Sequence, residues 1–176
     1  MVYLAYSKPN KCTRAEMSAE GIRLLRKLLE YAGESPDIEL AREPNGRPYI
    51  IGRKDLDFNI SHSEKLAVCA LSVGDGRVGV DTEPMISSVP LERRQRFADK
   101  YFSVNEKKLL ETTPGTFSRI WTAKEAYLKR EGKGIATDLS RVDTLSLSEA
   151  VELVTVEKEE HYITLSMGKS VQFKII

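Results

Sequence analysis

Three consecutive strand-like segments constrain the fold of this chain more than any other feature. The segments are Asp57–His62, Ala67–Val73 and Arg77–Glu83. The second is almost entirely apolar, which is typical of a buried strand. Between the second and the third stands Gly74-Asp75-Gly76, whose glycines predict a tight hairpin turn. The centre of the chain is therefore predicted to be a sheet whose last two strands form a hairpin.

Helical spacing occurs on both sides of this strand-rich centre. Apolar residues recur at helical intervals from Ala15 to Tyr31, and Gly33 closes that helix. Ser103 with Glu106 three residues later forms a capping box, which marks the start of another helix. Beyond the centre, three helices are predicted, over residues 91–101, 103–111 and 116–131.

The order of these elements predicts the fold class. A short strand over residues 1–6 precedes the first helix. The end of the chain alternates apolar and polar residues, which predicts an antiparallel meander of residues 151–156, 161–166 and 171–176. Helix then strands, followed by helices then strands, indicates an α+β fold built of two halves. We predict an N-terminal half of residues 1–86, a C-terminal half of residues 87–176, and an active site at their interface.

Composition bounds the classes of function. The chain has 27 Lys and Arg against 26 Asp and Glu, a net charge of +1, which argues against a general nucleic-acid binder but leaves room for a local anion pocket. No apolar run approaches the roughly 18 residues that a membrane helix needs, and the first residues turn polar too soon for a signal peptide. Cys12 and Cys69 lack the spacing of a metal site or a disulfide scaffold. We expect a cytoplasmic protein that binds neither nucleic acid nor membrane.

The segment Gly79-Val80-Asp81-Thr82-Glu83-Pro84 carries two carboxylates. Asp81 and Glu83 are two residues apart, so on a strand they point to the same face. Adjacent carboxylates repel each other unless a cation lies between them, and Mg²⁺ binds such oxygen ligands. In isolation such a pair more often marks a solvated strand end. The buried character of the preceding residues favours a metal site.

The predicted helix over residues 116–131 carries a second set of polar groups. Trp121, Glu125 and Lys129 are spaced at i, i+4 and i+8 and therefore line one face. On an open surface Glu125 and Lys129 would be an ordinary ion pair. In a cleft the same carboxylate could bind a metal or act as a base, and the ammonium could stabilise a phosphate leaving group.

Phosphate-binding groups occur earlier in the chain. Asn59, Ser61 and His62 lie together near the end of a predicted strand, and each offers a hydrogen-bond donor. Arg47 lies in the turn Asn45-Gly46-Arg47-Pro48, and the fork of its guanidinium suits phosphate, although a turn arginine is often merely exposed. None of these groups is specific alone, whereas their ordered combination is.

Along the chain the groups follow the order NGRP, FNISHS, VGVDTEP and WTAKEAYLKREGKG. This order resembles the 4′-phosphopantetheinyl transferases, in particular the longer, pseudo-dimeric type that modifies carrier proteins of peptide and polyketide synthases. The match runs from about Arg42 to Gly134. The resemblance implies two similar α+β halves related by a pseudo-twofold, with coenzyme A in the cleft between them. It implies transfer of the phosphopantetheine group of coenzyme A to a serine of an apo carrier protein, with release of adenosine 3′,5′-bisphosphate.

The same resemblance assigns roles to residues. Asp81, Glu83 and Glu125 would hold Mg²⁺, or Mn²⁺ in its place, against the pyrophosphate of coenzyme A. Glu125 would accept the proton of the attacking serine, and Lys129 would stabilise the departing nucleotide. Asp81 and Lys129 would both also contact the coenzyme. The remaining residues implied to bind the coenzyme, through its adenosine phosphates, are Arg14, Arg42, Arg47, Asn59, Ser61 and His62.

The partners follow from the same comparison. Carrier proteins of this kind are acidic around the modified serine, so a basic surface is expected near the cleft, with Lys100, Lys107, Lys108 and Arg119 as candidates. A monomer is expected, because the two halves already supply both sides of the cleft. The chain is shorter than the longer family members, partly at the N-terminus, which predicts fewer contacts to the coenzyme.

Two other functions remain open. A catalytically silent coenzyme A-binding or scaffolding module would keep the fold, but it is expected to have lost an acidic ligand or Lys129, and all of these are present. A different phosphoryl-transfer enzyme could use the same metal motif. The chain has no P-loop, kinase loop or dinucleotide fingerprint, which weakens that interpretation.

Overall fold

The computed structural model of the chain describes residues 1–10, 13–86, 89–110, 115–132, 138–147 and 151–176. The α-helices in these ranges are α1 (Arg14–Tyr31), α2 (Leu91–Tyr101), α3 (Val104–Leu110) and α4 (Thr116–Glu131), and a short 3-10 helix covers Leu139–Arg141. The strands are β1 (Val2–Ser7), β2 (Leu40–Arg42), β3 (Pro48–Ile50), β4 (Leu56–His62), β5 (Ala67–Val73), β6 (Gly79–Pro84), β7 (Val151–Lys158), β8 (His161–Gly168) and β9 (Phe173–Ile175). This mixture of helix and sheet confirms the predicted α+β class. The predicted positions that lie outside the described residues are Cys12, Glu111, Lys133 and Gly134.

Helix starts follow the capping signals in the sequence. Thr13 accepts a hydrogen bond from the Glu16 backbone N–H, and Glu16 accepts in return from the Thr13 N–H, which fixes the start of α1. The predicted capping box of α3 is confirmed, because Ser103 Oγ accepts from the Glu106 N–H at 3.2 Å and the Ser103 N–H donates to Glu106 at 2.7 Å. Each box satisfies two N–H groups that a helix start leaves unpaired.

The first sheet has the strand order β4-β5-β1-β9 and is covered on both faces. Along β5, Cys69 and Leu71 pack with the apolar face of α1, while Val68 and Ala70 pack against residues of a second sheet. Burial on both faces explains why β5 is apolar at nearly every position rather than at alternate ones.

The second sheet has the order β6-β8-β7, and it shows that the predicted β5–β6 hairpin is wrong. Both edges of β5 are already occupied, by β4 and by β1, so β6 finds its partner in β8. Two backbone N–H groups at the start of β6 donate to side chains of β4 instead of to a neighbouring strand. Asp57 Oδ2 accepts from the Val78 N–H at 2.8 Å, and Asn59 Oδ1 accepts from the Val80 N–H at 2.9 Å. The turn at residues 74–76 therefore leads from one sheet to the other.

The predicted C-terminal meander is correct for two strands and wrong for the third. β7 and β8 form an antiparallel pair, but β9 runs parallel to β1 in the first sheet, with Val2 opposite Phe173 and Leu4 opposite Ile175. The reason is again edge availability, since β8 already pairs with β7 and β6 while the outer edge of β1 is open. β9 thus returns the end of the chain to its beginning. The division at residues 86 and 87 and the pseudo-twofold stay predictions.

Helix α4 lies closely against β6. A Cβ atom at Gly79 would overlap the Ala126 carbonyl oxygen, so only glycine permits this approach. The contact brings the polar side chains of β6 up to one face of the helix. Among the described residues, the structure contains no helix long and apolar enough to span a membrane.

Candidate active site

Asp81 lies at the centre of a polar cluster between β4, β6 and α4. Its side chain is buried and accepts three hydrogen bonds. Asp81 Oδ1 accepts from Lys129 Nζ at 2.6 Å and from Ser61 Oγ at 2.7 Å, and Oδ2 accepts from Thr122 Oγ1 at 2.9 Å. Lys129 Nζ also donates to Ser61 Oγ at 2.8 Å. Three segments that are distant in sequence therefore meet at one carboxylate.

The other two acidic residues of the predicted metal site, Glu83 and Glu125, lie close enough to Asp81 to interact with its charge. Both side chains are half-buried. Burial and then the negative charge of Asp81 raise the pKa of Glu83 to about 7, while Lys129 opposes this rise. Burial and the charge of Asp81 also raise the pKa of Glu125. The three predicted carboxylates and Lys129 therefore lie close enough to influence one another's charge.

The donor set fits a Mg²⁺ ion in its chemistry. It consists of carboxylate oxygens, the ligands that Mg²⁺ prefers, and a bound cation would relieve the repulsion between them. Within the described ranges, no group of three or more His, Cys, Asp or Glu side chains stands in an arrangement that could hold a metal ion. Both Asp81 oxygens accept from protein donors, and Lys129 acts as the counter-ion. Metal binding would thus require these side chains to turn toward a common ion.

Of the other predicted residues, His62 lies close enough to Arg14 and Lys129 to interact with their charges. His62 is half-buried, and burial lowers its pKa, with smaller contributions from the positive charges of Arg14 and Lys129. Arg14 is the exposed first residue of α1, far from His62 in sequence. The structure thus brings together three groups able to carry positive charge, an arrangement that a bound anion would stabilise.

The remaining predicted phosphate ligands have different environments. Asn59 is buried, and its Oδ1 is taken by the Val80 backbone. Arg42 is exposed and donates to the Gly46 carbonyl at 2.7 Å. Arg47 is only 7% exposed and donates to one carboxylate and to three backbone carbonyls. Phosphate binding by these three residues stays a prediction.

Two hollows flank the carboxylates. The first has a volume of about 190 Å³ and lies between the β2–β3 turn and α4. Its wall consists of Asn45, Arg47, Pro48, Asn59, Glu125, Leu128, Lys129 and Gly132. The second, of about 240 Å³, is lined by Glu83, Val89, Arg93, Phe97, Phe117, Ser118 and Trp121. Glu125 and Lys129 thus face one space and Glu83 the other.

The sequence motifs did not identify Thr122 as part of the site. Its side chain is fully buried, and its hydroxyl holds the second oxygen of Asp81. Thr122, Glu125 and Lys129 are spaced at i, i+3 and i+7, so helical periodicity places all three on one face. This spacing is the sequence feature from which a role for Thr122 in the site could be predicted.

The comparisons with known proteins show which family the chain belongs to. Residues 77–173 match the model of the 4′-phosphopantetheinyl transferase superfamily. The chain is 36% identical over 126 residues to the 4′-phosphopantetheinyl transferase HetI of Nostoc sp., an alignment that covers 66% of this chain and 52% of HetI. It is 31% identical over 149 residues to the 4′-phosphopantetheinyl transferase Sfp of Bacillus subtilis, covering 79% of this chain and 65% of Sfp.

The superfamily match extends over more than half of the chain and includes β6, α4 and the second sheet. By its fold the chain is a mixed α+β protein, and its acidic cluster lies between a strand and a helix. The chain belongs to the 4′-phosphopantetheinyl transferase superfamily. It spans about half to two thirds of the length of the curated relatives it matches.

Proposed function

We propose that this protein transfers the 4′-phosphopantetheine group of coenzyme A to a serine of an apo carrier protein and releases adenosine 3′,5′-bisphosphate. The observation that carries the proposal is that Lys129 pairs with Asp81 and lines one cavity with Glu125, while Glu83 lies close enough to interact with the charge of Asp81. Family membership supports the type of reaction. The acidic cluster and its adjoining lysine supply the groups that such a reaction needs.

The chemistry requires a base and a stabilised leaving group. The serine oxygen would attack the phosphorus next to the pantetheine arm, and the bond from that phosphorus to the bridging oxygen would break. Glu125 would accept the serine proton, and Lys129 would stabilise the charge that develops on the departing phosphate. Asp81, Glu83 and Glu125 would hold Mg²⁺, which when bound supplies positive charge for the pyrophosphate.

The position of Lys129 supports its role. Its ammonium contacts Asp81 and Ser61, and its side chain is 28% exposed and lines the first hollow, where it could meet a ligand. Arg14, Arg42 and His62 would bind the nucleotide phosphates. The Ser61 hydroxyl contacts both the Asp81 carboxylate and the Lys129 ammonium.

The carrier protein would approach along α2, α3 and the start of α4. Lys100, Lys108 and Arg119 are exposed there, and the second hollow with Glu83 opens beside Arg93 and Phe97 of α2. Positive charge on this side suits a carrier that is acidic around its serine.

The test is incubation of the protein with coenzyme A, Mg²⁺ and a panel of apo carrier proteins from fatty-acid, polyketide and peptide synthesis. Intact-mass spectrometry is expected to show the addition of one phosphopantetheine group to at least one carrier. Binding of coenzyme A without transfer to any carrier would instead indicate a silent binding module. Omission of divalent cations, with EDTA present, is expected to stop the transfer, and restoring Mg²⁺ or Mn²⁺ is expected to recover it.

A further inference from the structure

Arg47 occupies an unusual environment for a turn residue. Its side chain is buried, and its terminal nitrogens donate to acceptors on β4, on α4 and at the residue before β6. Nη2 lies 2.6 Å from Asp57 Oδ2, 2.8 Å from the Val78 carbonyl and 3.2 Å from the Phe58 carbonyl. Nη1 donates to the Lys129 carbonyl. The guanidinium is therefore neutralised and surrounded by protein acceptors.

The contact to Lys129 lies at a weak point of α4. The last carbonyl groups of a helix have no helical N–H partner, and Lys129 belongs to the last turn of α4. Arg47 supplies a donor for one of these carbonyls and connects it to β4 and to the residue that leads into β6. Asp57 strengthens the junction, because the same oxygen that binds Arg47 also accepts from the Val78 N–H.

We infer that Arg47, held by Asp57, is a positioning residue that fixes the last turn of α4 and thereby keeps the Lys129 ammonium at Asp81 and Ser61. The inference rests on the proposed function, in which Lys129 stabilises the leaving group. Arg47 acts through Lys129.

Phosphate binding by Arg47 would cost the free energy of its present hydrogen bonds, whereas a positioning role keeps them. If Arg47 turned toward a phosphate, the half-buried Asp57 carboxylate would lose its cation, and three backbone carbonyls would lose the donor that Arg47 supplies. Arg42 stands in the same β2–β3 hairpin, is exposed, and can turn toward an anion freely. The two arginines of this hairpin therefore have different roles: Arg42 is free to bind an anion, and Arg47 holds the end of α4.

Asp57→Asn distinguishes a positioning role of Arg47 from phosphate binding, because the two roles predict different changes in kcat and in the affinity for adenosine 3′,5′-bisphosphate. The substitution keeps an oxygen for the Val78 N–H and removes the charge that holds Arg47. If Arg47 positions Lys129, kcat is expected to fall about tenfold, since a shift of about 1 Å in a catalytic group can cost up to about 100-fold, with the affinity for adenosine 3′,5′-bisphosphate unchanged or weaker. If Arg47 is a phosphate ligand, its release from Asp57 would tighten that affinity. Tighter binding with unchanged kcat overturns the inference.

The matched pair Arg47→Lys and Arg42→Lys provides the second measurement, because both variants keep their charge. A lysine cannot replace the fork of Arg47, so Arg47→Lys is expected to lower kcat at saturating substrates, while KM for coenzyme A stays within about twofold. Arg42→Lys, at a proposed phosphate ligand, is expected instead to raise KM for coenzyme A. The reverse pattern, with KM alone raised in Arg47→Lys, contradicts a positioning role.

Hydrogen exchange makes the test independent of activity. Amides in residues 125–132 are expected to exchange faster in Arg47→Lys than in the wild type or Arg42→Lys, because the end of α4 loses its anchor. Unchanged exchange in this segment overturns the inference even if the wild-type protein transfers phosphopantetheine. A wild type that transfers nothing, with faster exchange in Arg47→Lys, would reject the proposed function and leave the anchor of α4 supported.

Discussion

At Asp81, one carboxylate organises side chains from three elements. Ser61 and Thr122 donate to different oxygens of this group, and Lys129 balances its charge. The hydroxyls fix the plane of the carboxylate, so the lysine and any bound cation meet it in a defined direction. The two residues proposed for catalysis, Glu125 and Lys129, are one helical turn apart and face the same cavity. Their roles can be tested one side chain at a time.

Glu125→Gln keeps the shape of the proposed base and removes its charge. We expect kcat to fall at least about 100-fold, because general base catalysis typically contributes that much or more. The melting temperature should change little, since the side chain is only half-buried. Steady-state rates with a carrier that the wild type modifies, together with a thermal melt, provide the measurement. A near-normal rate would reject the role of Glu125.

Thr122→Val removes the hydroxyl that holds Asp81 Oδ2 and keeps the volume of the side chain. We expect kcat/KM to fall about tenfold and the Mg²⁺ concentration for half-maximal rate to rise, because a hydrogen bond to a charged group contributes about 1.5–3 kcal/mol. Thr122→Ser retains the hydroxyl and serves as the control. Equal metal titrations for both variants and the wild type would show that Thr122 does not orient Asp81.

At the scale of elements, α4 is held by buried polar contacts as well as by apolar ones. Lys124 Nζ lies 2.8 Å from Glu106 Oε2 of α3, and both side chains are fully buried. Lys124 also donates to the carbonyls of Leu139 and Val142, and Glu106 accepts from the Thr144 N–H at 2.9 Å. The pair thus ties α3 and the segment that follows α4 to the helix carrying Glu125.

Lys124→Met is expected to lower the free energy of unfolding by about 3–5 kcal/mol, because it leaves the Glu106 charge buried without its partner. The double variant Glu106→Gln/Lys124→Met should recover a large part of this loss, since no buried charge remains. Denaturant unfolding of the wild type, both single variants and the double variant measures the coupling energy. Additive effects in this cycle would show that the two side chains do not stabilise each other.

At the scale of the whole molecule, the two sheets share the core that contains Val2, Leu4, Val80 and Ile163. β9 closes this core by adding Phe173 and Ile175 beside β1, so the last residues of the chain stabilise the first strand. The polar cluster at Asp81 lies on the other face of β6, toward α4. Packing of β6 between the first sheet and α4 therefore links the stability of the molecule to the geometry of the site.

Phe173→Ala/Ile175→Ala removes the apolar side chains of β9. We expect the free energy of unfolding to fall by about 2 kcal/mol or more, since both side chains are half-buried against the core and burial of one large apolar side chain contributes about 1.5–3 kcal/mol. Lys174→Ala, at the exposed position between them, should cost much less. Similar losses for the two variants would argue against packing of β9 on this core.

Local pattern in the sequence determined the helices, most strands and the residues of the acidic cluster. Spacings of two and of about 3.6 residues predict which side chains share a face, and they place Glu125 beside Lys129 and Asp81 beside Glu83. The tertiary structure alone decided that β6 and β9 join strands other than their predicted neighbours, and that Arg47 is buried against Asp57. Strand pairing depends on which edges remain free once the other strands are in place, and a buried side chain chooses its partners from the whole fold, so neither is encoded in the spacing of neighbouring residues.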